Sequence, residues 1–325
     1  MIIDTFAVTD FRNLANLQLS FGDGVNIFYG NNGAGKTNLL EAIFVFLLGR
    51  SQRGATDAVL VRQDASYYRL DGMIRLDSKE RELALAYEKG GRKKIALDGV
   101  TIRLAELYEH FSAVAAGPED TAILAGSPSV RRQFLDMYLS QYSGKYLADL
   151  TDYQKALAQK NASLKNNIDP APFDAVMAPI GTRIMQARFA FLDDIGRHAG
   201  DYYSQIAAGE QLTTTYKPSV KAEDNDMREG RIEERYYASL EAYRERERVM
   251  GVSMVGPHRD DVLFEIGPYP ARTHGSQGQL RTGAISLKLA VYHLLKEKRR
   301  QPPMLLFDEI FAELDDNRSA GLVSA

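Results

Sequence analysis

Apolar and polar residues alternate along the first stretch of the chain. Ile2, Ile3, Phe6 and Val8 lead into Phe11-Arg12-Asn13, and Leu17, Leu19 and Phe21 follow at every second position. A period of two predicts half-buried strands. Gly22-Asp23-Gly24 marks a turn, and Val25 to Tyr29 reads as a short apolar strand running into a glycine-rich loop. Asn38 to Leu48 is apolar on most sides and predicts a buried helix. Between Tyr67 and Leu97 the alternation returns, with Tyr68/Leu70 and Leu83/Leu85/Tyr87, and Gly90-Gly91 predicts a hairpin tip in an antiparallel sheet.

The period changes after Gly126. Ser127-Pro128 is a helix start, and Phe134, Tyr138, Tyr142, Tyr146, Leu150, Tyr153 and Leu157 recur at steps of three and four. Asn166-Asn167 and the run from Pro170 to Pro172 interrupt the stripe, which resumes with Val176, Ile180, Ile184, Ala187, Phe191 and Ile195. The expectation is an antiparallel hairpin of two helices of roughly 30 residues, each about 45 Å long. It reads either as a helical subdomain packed on the sheet or as an arm reaching a partner. Residues 217 to 234 read as a polar linker, and Arg231 to Arg248, rich in arginine and glutamate, as a solvated helix face. Val262, Phe264 and Ile266 restore the strand period. Ser276 to Lys298 predicts a helix, and Met304 to Phe307 a buried strand ending in Asp308-Glu309.

The bulk numbers narrow the class. A chain of 325 residues suits one large domain or two lobes. A net charge of -3 does not advertise a nucleic-acid partner, so any such surface is a local patch. With no cysteine, disulfides, thiolate metal sites and thiol nucleophiles are excluded, in keeping with a reducing, cytoplasmic setting. The N-terminus has no basic region followed by an apolar run, and the Ala42 to Leu48 run is far below the roughly 20 residues of a membrane span. No membrane association is expected.

Chemistry enters at Gly30-Asn31-Asn32-Gly33-Ala34-Gly35-Lys36-Thr37, which fits the phosphate-binding pattern G-x-x-x-x-G-K-[ST] between a strand and a helix. Glycines let backbone N–H groups approach phosphate oxygens, and the helix N-terminus beginning near Asn38 faces the same anion. Lys36 is expected to reach the β- and γ-phosphates of ATP and Thr37 to hold Mg²⁺. Met304-Leu-Leu-Phe-Asp308-Glu309 fits the companion role, an apolar strand delivering carboxylates at its end. Asp308 would hold Mg²⁺ and Glu309 would orient the attacking water. The two motifs lie far apart, so most of the chain is an insertion within one nucleotide-binding lobe, unlike a compact kinase or GTPase layout. The expected division is a head from residues 1–125, a helical arm lobe from 126–250, and the rest of the head from 251–325.

Ser276-Gln277-Gly278-Gln279 resembles the signature motif of ABC-type ATPases, and Ala312-Glu313-Leu314-Asp315 resembles their D-loop. Ser276 also reads as an ordinary helix cap. Phe11-Arg12-Asn13 resembles a segment of DNA-repair ABC ATPases whose side chains touch phosphates. Asn38-Leu-Leu-Glu41-Ala42-Ile43, Gly49-Arg50-Ser51, Gly126-Ser-Pro-Ser129 with Arg131-Arg132 and Phe134-Leu-Asp136, Gly256-Pro-His-Arg-Asp-Asp261 and Arg281-Thr282 complete a set that resembles the RecF family across the whole chain. The resemblance implies an α/β ABC-type P-loop ATPase head with mixed and antiparallel sheet and an inserted helical lobe. It implies ATP and Mg²⁺ as cofactors, with Arg12, Asn13, Gly30 to Asn38 and, in trans, Ser276, Gly278 and Gln279 at the nucleotide. It also implies an ATP-dependent homodimer, binding of double-stranded or gapped DNA, and work with RecR and RecO to load RecA, with slow hydrolysis resetting the pairing.

The sequence departs from the family pattern in three places, one of them Pro302-Pro303 before the strand that ends in Asp308, reasonable as a lead-in. Ala113 to Asp120, where the Q-loop is expected, contains no glutamine, and Gln63 lies elsewhere. The chain ends at Ala325, while the family continues with a further strand and a switch histidine, so impaired hydrolysis with surviving ATP binding is expected. The rival readings are another SMC-like head, a transporter ATPase subunit and an ATP-binding scaffold with little hydrolysis. Arg50, Arg53, Arg131 and Arg132 are candidates for DNA contact only because they are basic and sit in these blocks, and read first as solvated or salt-bridged arginines. His258-Arg259-Asp260-Asp261 reads as a structural loop near the nucleotide site, because nothing pairs with it at metal-ligand spacing.

Overall fold

The computed structural model describes residues 1–76, 79–222, 226–227, 230–299, 301–310 and 316–324. The D-loop segment Ala312 to Asp315 lies outside them. Contacts between residues divide the chain into two units, Met1–Glu119 with Val291–Ala312, and Asp120–Ala290 with Glu313–Ala325.

The first unit is built on strands β1 (Ile2–Phe11), β2 (Leu14–Ser20), β3 (Tyr67–Leu76), β4 (Lys79–Glu88), β5 (Lys94–Leu97) and β6 (Val100–Thr101). They form one antiparallel sheet in the order β2-β1-β3-β4-β5-β6. The alternation in the sequence sets its faces. Phe6, Val8 and Phe11 of β1, Tyr68 and Leu70 of β3, and Leu83 and Leu85 of β4 point into one core. Gly72 of β3 is there because a Cβ would stand 2.4 Å from the Thr5 carbonyl oxygen. Helix α1 (Lys36–Leu48) buries every residue from Leu39 to Leu48 and ends on Gly49, whose left-handed φ of 64° lets its N–H reach the Val45 carbonyl. Helix α2 (Leu104–His110) leads to β7 (Ala113–Ala116), which is fully buried.

Val25 to Tyr29 does not form the expected strand. The segment has no ladder partner among the described residues, and Val25, Ile27 and Tyr29 are 89%, 79% and 92% exposed. Alternation of side chains is a property of the segment itself, whereas a strand also requires a second backbone to pair with.

The second unit is mainly helical. Its long elements are α3 (Pro128–Tyr142), α4 (Gly144–Lys165), α5 (Ala171–Ile206) and α6 (Ile232–Met250). The predicted first long helix is in fact two. Ser143 adopts an extended conformation and caps α4, its Oγ accepting from the Tyr146 N–H at 3.2 Å. The apolar stripe continues across the break, which is why periodicity alone merges the two. α4 and α5 then pair as the expected hairpin, α5 being 36 residues long.

Strands β8 (Leu212–Lys217), β9 (Asp261–Ile266) and β10 (Tyr269–Pro270) form a small antiparallel sheet in the order β10-β9-β8. The alternating Val262, Phe264 and Ile266 therefore pair with β8, so residues 251–290 group with the helices and not with the N-terminal sheet. The sequence division at residue 251 missed this, since strand partners are set across the chain.

The Gly256 to Asp261 loop is the polar centre of this unit. Asp260 is buried and accepts from the Tyr216 hydroxyl and from the Ser219 N–H at 2.8 Å. Fully buried Arg188 donates to the Pro257 carbonyl, the Tyr146 hydroxyl and Asp136. Arg131 holds Asp261 through two hydrogen bonds of 2.6 and 3.0 Å, and Arg132 donates to the Asp260 carbonyl at 2.7 Å. The loop is structural, as expected; it belongs to the second unit, whereas the glycine-rich loop belongs to the first. Arg131, only 4% exposed and paired, is a core residue and drops out as a DNA contact.

His258 accepts from the Tyr153 hydroxyl at Nδ1 (2.8 Å) and, as the Nε2–H tautomer, donates to the Ser253 carbonyl at 3.2 Å. Burial pushes its pKa down from 6.5 to about 4, opposed by the Ser253 bond and assisted by Arg259. The unfolded chain thus takes up this proton first. The contribution of the neutral ring is complete above pH 6.5 and is lost as pH falls towards 4, at up to about 1.4 kcal/mol per pH unit. The urea midpoint of the wild type should therefore fall more steeply over that window than that of His258→Gln. Parallel profiles would refute the assignment.

Beyond β10, helix α7 (Gln277–Lys298) leads to β11 (Met304–Phe307), and α8 (Asp316–Ser324) follows. β11 pairs in parallel with β7, from Met304 opposite Ala113 to Phe307 opposite Ala116. It is less buried than predicted. Only Leu306 is in the core, and Phe307 is 40% exposed, because β7 is its one neighbouring strand among the described residues.

Candidate functional site

The glycine-rich loop lies exposed at the start of α1. Gly33 and Gly35 hold φ of 81° and 100°, a region that residues with a Cβ enter at a cost. Gly35 is also confined, since a Cβ there would stand 2.9 Å from Leu14 Cδ2 and 3.0 Å from Asn13 Oδ1. Gly35 caps α1 with no side-chain acceptor, and the first helical turn carries no acidic residue. The helix N-terminus therefore presents N–H groups and a positive dipole end with no protein anion in its first turn. Lys36 Nζ donates to the carbonyls of Gly30 at 2.8 Å and Asn31 at 3.1 Å, so the ammonium sits within its own loop.

The Phe11-Arg12-Asn13 segment forms the tight turn between β1 and β2, with Phe11 opposite Leu14. Arg12 holds a left-handed φ of 54°. Its neighbour Asn13 donates to the Gly33 carbonyl at 3.2 Å and accepts from Asn38 at 2.9 Å. The turn is thereby tied to the middle of the loop and to the first turn of α1. Arg12 itself turns to Glu41, donating from Nε at 3.0 Å and from Nη2 at 3.1 Å.

Glu41 stands in one of the family-like blocks of the sequence, which gave it no role. It is fully buried within the apolar run of α1, and the Ser51 hydroxyl donates to it at 2.5 Å. Arg53 lies 3.8 Å from it and donates to Glu119 at 2.9 and 2.5 Å. One acid among ten consecutive buried helical positions was the signal available in the sequence, because a buried carboxylate requires partners.

Helix α1 also packs on β7 and β11, bringing Lys36, Thr37 and the strand that ends in Asp308 into one unit. The Asp308 N–H donates to the Ala116 carbonyl at 2.8 Å, extending the ladder by one step. A Cβ on Gly117 would stand 3.5 Å from Asp308 Cβ. Glu309 takes a left-handed φ of 47°.

Ser276 and Gln279 belong to the other unit, where they form a capping box. Ser276 Oγ accepts from the Gln279 N–H at 3.2 Å, and Gln279 Oε1 accepts from the Ser276 N–H at 3.0 Å. Gln279 also donates to Glu210 at 3.3 Å, and Gly278 is the second residue of α7. The arrangement defines a helix N-terminus whose ordinary capping role is already filled.

Comparison with known proteins agrees with this architecture. The family described as RecF/RecN/SMC N terminal domain matches residues 2–325. A solved structure of the recombination mediator protein RecF with ATP covers 99% of this chain and 88% of its own, at a TM-score of 0.91 and 33% identity. An Smc head domain from Pyrococcus furiosus shares the fold at a TM-score of 0.54 and 16% identity. The fold is that of an SMC-type ABC ATPase head. The DNA replication and repair protein RecF of Bacillus cytotoxicus is 37% identical over 331 residues, covering 100% of this chain and 88% of that protein. Its counterpart in Bacillus thuringiensis is 36% identical over 333 residues, with the same coverage. The chain belongs to the RecF family.

Proposed function

We propose that the chain binds ATP with Mg²⁺ and uses it to pair with a second copy on double-stranded or gapped DNA, as a mediator of replication and repair. The observation that carries the reading is the open N-terminus of α1, with Gly33, Gly35 and Lys36 at its mouth and no acidic residue in its first turn. That donor set suits a polyphosphate. Thr37 and Asp308 supply hard oxygen donors, which suit Mg²⁺ completed by phosphates and water. Glu309 would orient the attacking water. Bound Mg²⁺ would supply charge neutralisation at the phosphates. Arg12, Asn13 and Gly30 to Asn38 would hold the nucleotide from one copy, and Ser276, Gly278 and Gln279 would approach it from the other.

The solved RecF with ATP supports the cofactor, and the RecF relatives support the DNA role. Partnership with RecR and RecO in loading RecA, and a cytoplasmic location, follow as part of the same proposal. Among the described residues no helix is long and apolar enough to cross a membrane.

Light scattering on the full chain tests the proposal. With ATP and Mg²⁺ the mass should move from one copy to two, and gapped DNA should strengthen the shift. ADP should not support it, because a ligand shifts an equilibrium only through differential affinity for its two states. Equal masses with ATP and ADP, with and without DNA, would refute the reading.

A further inference from the structure

Two guanidinium groups share one buried carboxylate beside the P-loop. Arg12 engages both oxygens of Glu41, whereas Arg53 stands 3.8 Å away and gives its hydrogen bonds to Glu119. The side chains of Arg12 and Arg53 are 21% and 32% exposed, so each is reachable from solvent, while Glu41 is not exposed at all. Glu119 is 60% exposed and loses little when released.

From this arrangement we propose that Glu41 and Arg53 form an exchange clamp for Arg12. Glu41 is a positioning residue that parks Arg12, and Arg53 takes over the Glu41 carboxylate when Arg12 turns to the phosphates of a bound nucleotide. The inference rests on the ATP reading above and adds two residues to it. Its physical basis is the asymmetry of burial. A buried carboxylate deprived of its cation is strongly penalised, so Arg12 is free to leave only if another cation arrives. Arg53 is already close, and the bond it gives up is at the surface.

The exchange also reaches the end of β11. The Arg53 pKa is held up first by its hydrogen bond to Glu119, against burial, with Glu41 and Asp308 adding to the effect. Gly117, two residues before Glu119, lies against Asp308, and the Asp308 N–H is bonded to Ala116. Movement of Arg53 from Glu119 to Glu41 thus removes one tie on the segment beside Asp308 as the nucleotide binds.

The test is calorimetric titration of Mg-ATP into the wild-type full chain and its variants. Arg53→Gln locks Arg12 on Glu41 and should weaken ATP binding by about tenfold, with little change in the thermal midpoint. Adding Glu41→Gln removes the competing charge and should restore affinity to within about threefold of wild type. A merely structural role for Arg53 leaves the double variant as weak as the single or weaker, which would overturn the clamp. Glu119→Gln, at a position 60% exposed, releases Arg53 in advance and should tighten ATP by about threefold. Unchanged affinity there would also overturn it. A wild-type chain that binds no ATP overturns the nucleotide reading itself, which separates the two failures.

Discussion

Lys36→Met should weaken ATP binding on the order of a hundredfold while leaving the fold intact. Lys36 is an ammonium whose hydrogen bonds, to the carbonyls of Gly30 and Asn31, stay within its own loop. An incoming triphosphate offers it charged acceptors in their place, and a hydrogen bond between two charged groups is worth roughly 1.5–3 kcal/mol more than none. The upper end of that range corresponds to about a hundredfold in affinity. Stability should barely move. Lys36 is the first residue of α1, where a cation opposes the helix dipole, so its loss removes no favourable helix term. Calorimetric titration of ATP with a parallel thermal melt checks both halves. Binding equal to wild type would remove the basis for the nucleotide site.

Lys160→Met should cost about 3–5 kcal/mol of stability, the largest effect expected away from the P-loop. Lys160 of α4 is fully buried and its Nζ lies 2.7 Å from Asp174 of α5 and 2.7 Å from Glu247 of α6. Three helices converge on one cation. Arg244 approaches Asp174 only to 3.9 Å, and so is a poor substitute. Methionine fills the volume but leaves two carboxylates facing each other without water. Burial already pushes the Asp174 pKa up, against the pull of Lys160, with Glu247 pushing in the same direction as burial. Without the lysine it rises further. A carboxyl whose folded pKa lies above its unfolded value is stabilising at low pH and loses that contribution as pH rises. The deficit of the variant should therefore shrink between pH 7 and pH 5, and Glu247→Gln in the same background should recover part of it. Urea titrations at the two pH values measure this. A deficit that is small, or equal at both, would show that the triad does not hold the helices.

The glycine-rich loop before α1 and the strand ending in Asp308 were legible from the residues because their patterns are local. The left-handed backbone of Gly33 and Gly35 and the side chain of Lys36 are specified within eight positions. The Glu41 network was not legible as a network. Its members Arg12, Glu41, Ser51, Arg53 and Glu119 are brought together by the β1–β2 turn, α1, the loop that follows α1 and the turn after β7. Only the oddity of an acid in an apolar helix hinted at it. The signature segment shows the opposite case. Ser276 and Gln279 form a capping box visible in the structure, while the role proposed for them towards a nucleotide on another copy would depend on an assembly of two chains.

Periodicity along the chain was sufficient to place the antiparallel strands from Tyr67 to Leu97, the second helix of the hairpin and helix α7, because a helix or an amphipathic strand is written in the spacing of neighbouring side chains. Partnership is not written there. Val25 to Tyr29 carries a strand's alternation and has no ladder, Val262 to Ile266 carries the same alternation and pairs with β8 among the helices, and Ser143 divides a continuous apolar stripe. Backbone hydrogen bonds between strands, and the cations that neutralise buried acids, join residues far apart in sequence. Only the folded chain decides which of them meet.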